Sequence, residues 1–396
     1  MGEVDIGSRE LRGTLVPPRR LLRKPGGRNG ATALVGRRGR HRPYRRRADR
    51  SGGGVAVSVL VTGAGGFLGR RVVAALRDRG LTARALVRRP DDDLAAMGAE
   101  VVVGDLRRPV SPALFDGVET VVHLAAVVAG SPGAQFTGTV TATEHLLAAM
   151  AGSGVSRLVL CSSFSVYDWS EVSGSLDEDS PLEADLHTRD GYTAAKLWQE
   201  RVCRRAAVGA PWTLTVLRPG FVWGPGNDWV WGVGVRARDT TVVVGSRKPL
   251  PLTHVDNCAD AFATVVCDPR ADGGTYNVVD GFPITPLDYA KLYRAGYGGR
   301  IVVVPHAALR GVGVAAAGVI RALSGRPARL PALFDTHLFD ARFKPLSFPP
   351  SRLTSTVGWR PPHTLAECAA RTFGSGALPS GGRGERAATG TVEPAG

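Results

Sequence analysis

The chain has 396 residues, of which 43% are hydrophobic and 21% are charged, and its mean hydropathy is −0.02. This composition is typical of a globular protein and excludes a fibrous or wholly disordered chain, and no run of about 18 apolar residues is present to span a membrane. The formal net charge of +15 is concentrated in residues 1–50, which carry 15 Lys+Arg against 4 Asp+Glu, so the rest of the chain is close to neutral.

Residues 1–54 are rich in Arg, Gly and Pro and show no apolar periodicity, which predicts a disordered basic arm. Three interpretations stay open: a solvated tail, an arm that attracts nucleic acid or another anionic surface, or a transit peptide. We favour the solvated tail and therefore expect no nucleic-acid partner. Residues 374–396 are also rich in Gly, Ser, Arg and Pro, and we predict a second disordered tail there.

The cysteines are odd in number, scattered, and without CxxC spacing: Cys161, Cys203, Cys258, Cys267 and Cys368. We expect reduced thiols in a cytoplasmic protein, with neither a disulfide framework nor a metal site.

A strand–turn–helix pattern opens the ordered part of the chain. Residues 55–61 are an apolar, β-branched run typical of a buried strand, and residues 70–78 have the pattern of an amphipathic helix. Between them lie Gly63, Gly66 and Gly69, with Phe67 and Leu68 inside the same turn. Glycines at this spacing allow a tight turn, close approach of a pyrophosphate and close helix–strand packing, so the pattern predicts a dinucleotide-binding turn.

Strand and helix patterns then alternate through Ala83–Val87, Glu100–Val103, Thr120–His123, a helix near 143–151, and Arg157–Cys161. This alternation predicts an α/β fold, a doubly wound Rossmann-type parallel sheet. Beyond residue 217 the strands are shorter, at 242–244, 275–279 and 301–304, which predicts a smaller C-terminal substrate-binding lobe built from separated segments. We assign 55–373 to one domain, with the cofactor part mainly in 55–220 and the lobe mainly in 221–373. The apolar stretch 311–320 is expected to be a buried or surface-packed helix.

The end of the second strand bears on the choice of cofactor. An acidic residue there would hydrogen-bond the ribose 2′-hydroxyl of NAD, but this chain has Arg88 and Arg89, and a cation can accommodate a 2′-phosphate. The sequence therefore favours NADP over NAD, although Asp91, Asp92 and Asp93 follow closely.

Tyr192 and Lys196 lie at the start of a helical pattern, and their spacing places both side chains on one helix face. A phenol titrates near pH 10, and a neighbouring ammonium favours the phenolate and lowers that pKa. Such a pair can move a proton at a substrate hydroxyl while hydride moves at a nicotinamide. Serines at positions 162, 163 and 165 follow the strand Arg157–Cys161, at the strand end where α/β folds bind ligands.

Together these motifs resemble an extended short-chain dehydrogenase/reductase of the NAD-dependent epimerase/dehydratase family. The resemblance covers about residues 55–373 and is carried by segments 62–69, 104–106, 123–126, 161–167, 192–196, 217–225, 254–261 and 358–361.

The resemblance implies a role for each matching position. It assigns catalysis to Ser163, Tyr192 and Lys196, with Tyr192 as the acid/base and Lys196 also binding the nicotinamide ribose. Asp105 and Leu106 would contact the adenine, Leu124, Ala125 and Ala126 would lie under the cofactor, and Pro219 and Val222 would hold its nicotinamide end. His254 and Asp256 would begin a segment on the substrate side, although Asp256 is equally well explained as a helix cap. In two places the chain departs from the family: Thr139 replaces an asparagine that holds a proton-relay water, and Asp168 replaces a glycine.

The expected function is an NAD(P)-dependent enzyme that moves hydride between nicotinamide and a hydroxyl or carbonyl carbon of a small substrate. Arg88 favours a net NADP(H) reaction, and the candidate substrates are a sugar nucleotide, a steroid-like molecule or another alcohol or ketone. One alternative is a nucleotide-sugar epimerase or dehydratase that recycles bound NAD, although no arginine suited to a uridine diphosphate precedes 254–261. A second is a non-catalytic, NADP-sensing binding protein. The resemblance also favours a homodimer.

Overall fold

Apolar segments predicted as strands form the centre of the computed structural model, which describes residues 59–186, 189–245, 247–324, 335–349 and 351–374. Two predicted segments lie outside these ranges: the basic arm 1–54, and the tail 374–396 apart from its first residue. Residues 55–58, which begin the first predicted strand, also lie outside them. In chain order the strands are β1 (Val59–Thr62), β2 (Ala83–Val87), β3 (Glu100–Val103), β4 (Thr120–His123), β5 (Arg157–Cys161), β6 (Thr213–Pro219), β7 (Phe221–Trp223), β8 (Gly234–Ala237), β9 (Thr240–Gly245), β10 (Leu252–His254), β11 (Thr275–Val278) and β12 (Arg300–Pro305).

The helices lie between these strands and after them. They are α1 (Phe67–Asp78), α2 (Asp92–Ala96), α3 (Pro132–Phe136), α4 (Ala142–Met150), α5 (Gly191–Ala207), α6 (Val255–Cys267), α7 (Pro286–Tyr297), α8 (His306–Ser324), α9 (Thr336–Phe343), α10 (Arg352–Val357) and α11 (Leu365–Phe373). A π-helical turn, Thr137–Thr141, joins α3 to α4.

Seven of the described strands form one parallel sheet in the order β11-β6-β5-β4-β1-β2-β3. The sheet is of the Rossmann type, as predicted. Every residue of β1 and β4 is buried, which explains why these strands are apolar throughout instead of alternating. The chain runs outward from β1 to β3 and returns at β4, so the strand order reverses between β1 and β4, where open α/β sheets bind ligands.

Helices cover both faces of the sheet. On one face, α1 and α6 pack together with Val59 and Val61 of β1, through apolar residues such as Val72, Leu76 and Phe262. On the opposite face, α4 and α5 pack against the alternate side chains of the same strands. Burying a leucine, valine or phenylalanine contributes roughly 1.5–3 kcal/mol, so these two layers fix the strand ends that carry the site.

The C-terminal part is built from separated segments, as its loose pattern predicts. Strands β7 and β10 pair with each other, and β8, β9 and β12 form a small mixed sheet. Their core surrounds Trp223, whose ring packs edge-to-face against Tyr289 and stacks on Phe373. Segment β11 returns to the main sheet beside β6, so the chain passes between sheet and lobe more than once.

The apolar stretch 311–320 forms part of α8 and packs at the surface, which is one of the two arrangements expected for it. Val312, Val314 and Val319 are 57%, 49% and 58% exposed, and the main neighbours of α8 among the described elements are β9, β12 and α9. Within the described ranges, no helix has the length and apolarity needed to cross a membrane.

Candidate active site

A cavity of about 1160 Å³ opens along the carboxyl edge of the main sheet. The edge is polar and glycine-rich because each parallel strand ends there, and the following loops provide the lining. Gly63 follows β1, Arg88 follows β2, Leu124 follows β4, and Ser163 lies just beyond β5. The strand order therefore brings residues that are far apart in sequence to one place.

The structure places the residues predicted for catalysis and for cofactor binding on the wall of this cavity. They are Gly63, Gly66, Phe67, Leu68, Gly69, Arg88, Asp105, Leu106, Leu124, Ala125, Ala126, Ser163, Tyr192, Lys196, Pro219 and Val222.

His254 and Asp256 are different, because neither lines the cavity. His254 is fully buried and its Nδ1 accepts a hydrogen bond from the backbone N–H of Asp256 (3.3 Å), so His254 caps α6. Asp256 forms an ion pair with Arg371 (2.8 Å). Burial lowers the pKa of His254 to about 4, which keeps the cap uncharged.

The glycine turn is too crowded for side chains. Gly63 has φ +68°, and a Cβ on it would lie 2.9 Å from the backbone nitrogen of Ala125. A Cβ on Gly69 would lie 2.2 Å from the carbonyl oxygen of Gly63, because α1 begins directly against the turn. The turn thus presents bare backbone and a helix N-terminus to the cavity, an arrangement suited to a pyrophosphate.

Charged residues line the end of the cavity beyond β2 and β3. Arg88 is exposed, whereas Asp91 accepts two hydrogen bonds from Arg70 (3.0 and 2.6 Å) and also caps α2. The carboxylate that follows Arg88 most closely is therefore already neutralised by another arginine. Asp105 is bonded by Arg107 (2.6 Å), and this hydrogen bond lowers the pKa of Asp105 to about 2.

Tyr192 and Lys196 lie one turn apart on α5, whose N-terminus is capped by Asp190 through the backbone N–H of Thr193 (2.8 Å). Lys196 is 2% exposed, and its Nζ donates to the carbonyl oxygen of Cys161 (2.8 Å) and to Gln199 Oε1 (2.9 Å). The helix therefore holds the phenol and the ammonium at the same wall of the cavity, and hydrogen bonds to Cys161 and Gln199 fix the position of the ammonium.

The pKa of Tyr192 is shifted in the opposite direction from the one that the sequence predicts. The i, i+4 spacing predicts that Lys196 lowers this pKa, but in the structure burial raises it above its usual value of 10, and only a hydrogen bond with Ser163 acts in the opposite direction. Desolvation of the phenolate is the largest effect on this pKa. The phenol is accordingly protonated at neutral pH.

The hydroxyl of Thr139, at the position where the family has its relay asparagine, is held by a backbone hydrogen bond. Thr139 is buried in the π-helical turn, and its Oγ1 accepts a hydrogen bond from the backbone N–H of Val127 (3.0 Å). Its carbonyl oxygen accepts from Thr143 Oγ1 (2.6 Å). A π-turn of this kind is frequent at functional sites because it displaces the helix register locally.

The opposite end of the cavity, which the sequence analysis did not identify, is largely apolar and aromatic. Its lining residues include Phe164, Trp169, Phe221, Trp229, Trp231 and Leu338. Trp231 is 62% exposed, and the guanidinium of Arg342 lies over its ring at 5.7 Å. The signal available in the sequence was the cluster of tryptophans near residue 230, in a segment without a clear strand or helix pattern.

Known proteins resemble both the sequence and this arrangement. The model of the NAD dependent epimerase/dehydratase family matches residues 59–279. A 3 beta-hydroxysteroid dehydrogenase/Delta 5-->4-isomerase of Mycobacterium tuberculosis is 32% identical over 252 residues, which are 59% of this chain and 67% of that protein. A 4-hydroxy-2-methyl-3-oxo-4-farnesyl-3,4-dihydroquinoline-1-oxide ketoreductase of Stigmatella aurantiaca is 30% identical over 285 residues, 69% of this chain and 84% of that protein.

A solved structure extends the similarity to the whole fold. UDP-glucose 4-epimerase from Bifidobacterium longum, in complex with NAD+ and UDP, aligns with a TM-score of 0.57 at 20% identity, covering 80% of this chain and 97% of that one. At this identity the likeness shows the fold alone. The family match covers more than half of the chain, and both curated relatives align over two thirds or more of their own length. The chain therefore belongs to the NAD dependent epimerase/dehydratase family and is an enzyme of that type.

Proposed function

We propose that this enzyme is an NADP(H)-dependent oxidoreductase that interconverts a ketone and an alcohol on a bulky, apolar substrate. The observation that carries the proposal is the position of Ser163, Tyr192 and Lys196, which line one cavity between the glycine turn and the tryptophan-rich end. A dinucleotide at one end and an apolar substrate at the other would meet at these three side chains.

The residues present fit a dinucleotide. The turn at Gly63 and Gly69 leaves a cradle of bare backbone at the N-terminus of α1, which a Cβ would fill. Support for NADP over NAD comes from Arg88, which is exposed at the end of β2 with no acidic residue beside it on that strand. Asp91 does not offset this charge, since Arg70 already binds it.

The mechanism assigns one task to each side chain. When bound, the nicotinamide supplies the carbon that gives or receives hydride. The Tyr192 phenol gives its proton to the substrate oxygen during reduction and takes it back during oxidation. Ser163 donates a hydrogen bond to the same oxygen, and the Lys196 ammonium stabilises the phenolate that forms. Because burial raises the pKa of Tyr192, the resting phenol is protonated and can act as the proton donor when a ketone is reduced.

The nature of the cavity wall supports the choice of substrate. Trp169, Trp229 and Trp231 offer flat apolar surfaces, and such surfaces bind rings and long hydrocarbon groups through area removed from water. The names of the two relatives describe a hydroxysteroid and a farnesylated quinoline ketone, both of which are bulky ring compounds.

The first experiment identifies the cofactor that the purified enzyme uses. The enzyme is denatured without added nucleotide, any released nucleotide is quantified by chromatography, and the native enzyme is titrated with NADPH and NADH. We expect little released nucleotide and tighter binding of NADPH. Near-stoichiometric released NAD would instead support an epimerase or dehydratase that recycles its cofactor.

The second experiment tests catalysis with a 3β-hydroxysteroid, its 3-ketone and a 2-alkyl-3-oxoalkanoate as probes. Replacing Tyr192 by Phe should lower kcat by about 10²–10⁴, the usual contribution of an acid/base group, and leave NADPH binding within a few fold. A Tyr192→Phe variant with unchanged turnover would overturn the assignment. An enzyme that binds neither nucleotide would overturn the proposed function.

A further inference from the structure

A buried chain of hydrogen bonds lies behind Lys196, on the side away from the cavity. Gln199 Oε1 accepts from Lys196 Nζ (2.9 Å), and Gln199 Nε2 lies 3.0 Å from Thr143 Oγ1 and 3.2 Å from His123 Nε2. His123 continues the chain through its Nδ1 to Thr62 Oγ1 (2.7 Å), the last residue of β1 before the glycine turn. All five side chains are buried.

The donors and acceptors of this chain fit one arrangement. Thr143 Oγ1 uses its only hydrogen on the carbonyl oxygen of Thr139 (2.6 Å), so it can only accept from His123 Nε2 (2.8 Å) and from the Gln199 amide. His123 must then carry its proton on Nε2 and accept from Thr62 at Nδ1. Burial lowers the pKa of His123 to about 3, so the ring stays neutral. The Gln199 amide is thereby oriented with its oxygen toward Lys196.

The orientation of the Gln199 amide determines how many N–H groups of Lys196 remain for the cavity. An ammonium has three N–H donors, and Lys196 directs two of them to Cys161 and Gln199, which leaves one for the cavity. The remaining groups that act electrostatically on Lys196 come from three elements: Cys161 on β5, His123 on β4, and Glu200 and Cys203 on α5. Glu200 is already paired with Arg218 (2.8 Å), and the two cysteines are buried with raised pKa values.

We propose that Gln199 is a positioning residue, which holds Lys196 in its charged form and aims its third N–H at the cofactor. The inference rests on the proposed function, since it assumes that Lys196 binds the nicotinamide ribose. Burial alone lowers the pKa of Lys196, because a desolvated ammonium is disfavoured. The neutral oxygen of Gln199 opposes that effect without adding a negative charge beside Tyr192.

The test compares Gln199→Met, which has a similar volume but no oxygen, with Gln199→Glu, which keeps an oxygen toward Lys196. Arg201→Gln is the control, because Arg201 is exposed on the same helix. The dissociation constant of NADPH is measured by quenching of protein fluorescence between pH 6.5 and 9.5. For Gln199→Met we expect NADPH to bind about tenfold more weakly, with a loss that grows about another tenfold toward pH 9.5 as Lys196 loses its proton early. For Gln199→Glu the pH dependence should stay close to that of the wild type.

The outcomes separate the inference from the proposed function. A Gln199→Met variant weakened by the same factor at every pH would indicate general structural damage, and one that binds like the wild type would show that Lys196 does not need Gln199; either result overturns the inference. The proposed function survives both, provided that the wild type binds NADPH and Tyr192→Phe loses turnover. If the wild type binds no nucleotide, both fail together.

Discussion

The two ends of the cavity are built on different principles. The end assigned to the dinucleotide is made of strand ends and the turn between β1 and α1, so backbone groups and glycines form its surface. The end assigned to the substrate is made of large side chains from segments more than a hundred residues apart, such as Trp231 and Leu338. The first end is fixed by local geometry and tolerates little change. The second is fixed by packing and can change its preference through one side chain.

The largest expected effect is at the glycine turn, where Gly69→Ala should distort the surface that would bind the dinucleotide. Its Cβ would lie 2.2 Å from the carbonyl oxygen of Gly63, so α1 must move away from the turn. We expect NADPH binding to weaken on the order of a hundredfold, or about 2.7 kcal/mol. Isothermal titration calorimetry measures this. Gly133→Ala is the matched control, since Gly133 lies in α3 with open space at its Cβ position. Unchanged affinity in Gly69→Ala would mean that the nucleotide lies elsewhere.

A smaller effect is expected from replacing Arg88. This change should alter the preference for NADP over NAD and leave the glycine turn intact. Replacing Arg88 by Glu should weaken NADPH binding about tenfold or more, because a charged hydrogen bond to the 2′-phosphate is worth about 1.5–3 kcal/mol. NADH binding should change little. The ratio of the two dissociation constants is the measurement, and Arg77→Glu, which lies outside the cavity, is the control. Equal loss for both nucleotides would assign Arg88 to general electrostatic attraction.

Much of the cofactor end could be predicted from the sequence because its determinants are local. The glycine spacing, the strand that precedes it and the Tyr192–Lys196 spacing all lie within short windows. The alternation of strands and helices predicts a parallel sheet, whereas the order of its strands comes from the structure. The pKa of Tyr192 could not be predicted, since the spacing shows Lys196 but not the burial that raises this pKa.

The substrate end could not be predicted, for a physical reason. Trp231 and Arg342 meet only because β8, β9 and α9 pack together, and no window of sequence contains both residues. The same holds for Gln199, whose partner Thr143 lies 56 positions away. Helix periodicity places Gln199 on a buried face but does not say what it bonds.

At the substrate end, Trp231→Ala should raise KM for the bulky ketone about tenfold, because removal of a partly exposed ring costs roughly 1–2 kcal/mol of apolar contact. The dissociation constant of NADPH should not change, which distinguishes the two ends of the cavity. Steady-state kinetics with the 3-ketosteroid probe provide the measurement. Trp198→Ala is the control, since Trp198 is 41% exposed on α5 and lies outside the cavity. A change in NADPH binding would mean that Trp231 supports the whole cleft.

The smallest effect on ligand binding is expected at Asp280, which lies outside the cavity and links the main sheet to the lobe, so its replacement acts on stability instead. Asp280 follows β11 and accepts hydrogen bonds from the backbone N–H of His254 (2.7 Å) and from Thr253 Oγ1 (3.2 Å), both on β10. Burial raises the pKa of Asp280 to about 7, whereas an unfolded aspartate titrates near 3.9. Between these values the folded state holds a proton that the unfolded state has lost.

The stability contributed by this proton is therefore complete below about pH 4 and falls as the pH rises to about 7, by at most about 1.4 kcal/mol per pH unit. Asp280→Asn should remove that fall, because the amide oxygen can still accept from His254 and has no proton to lose. The free energy of unfolding in urea, measured at several pH values from 4.5 to 8, tests this against Asp116→Asn, which removes an exposed carboxylate. If Asp280→Asn keeps the slope of the wild type, another group controls it, and the joint between sheet and lobe is insensitive to pH in this range.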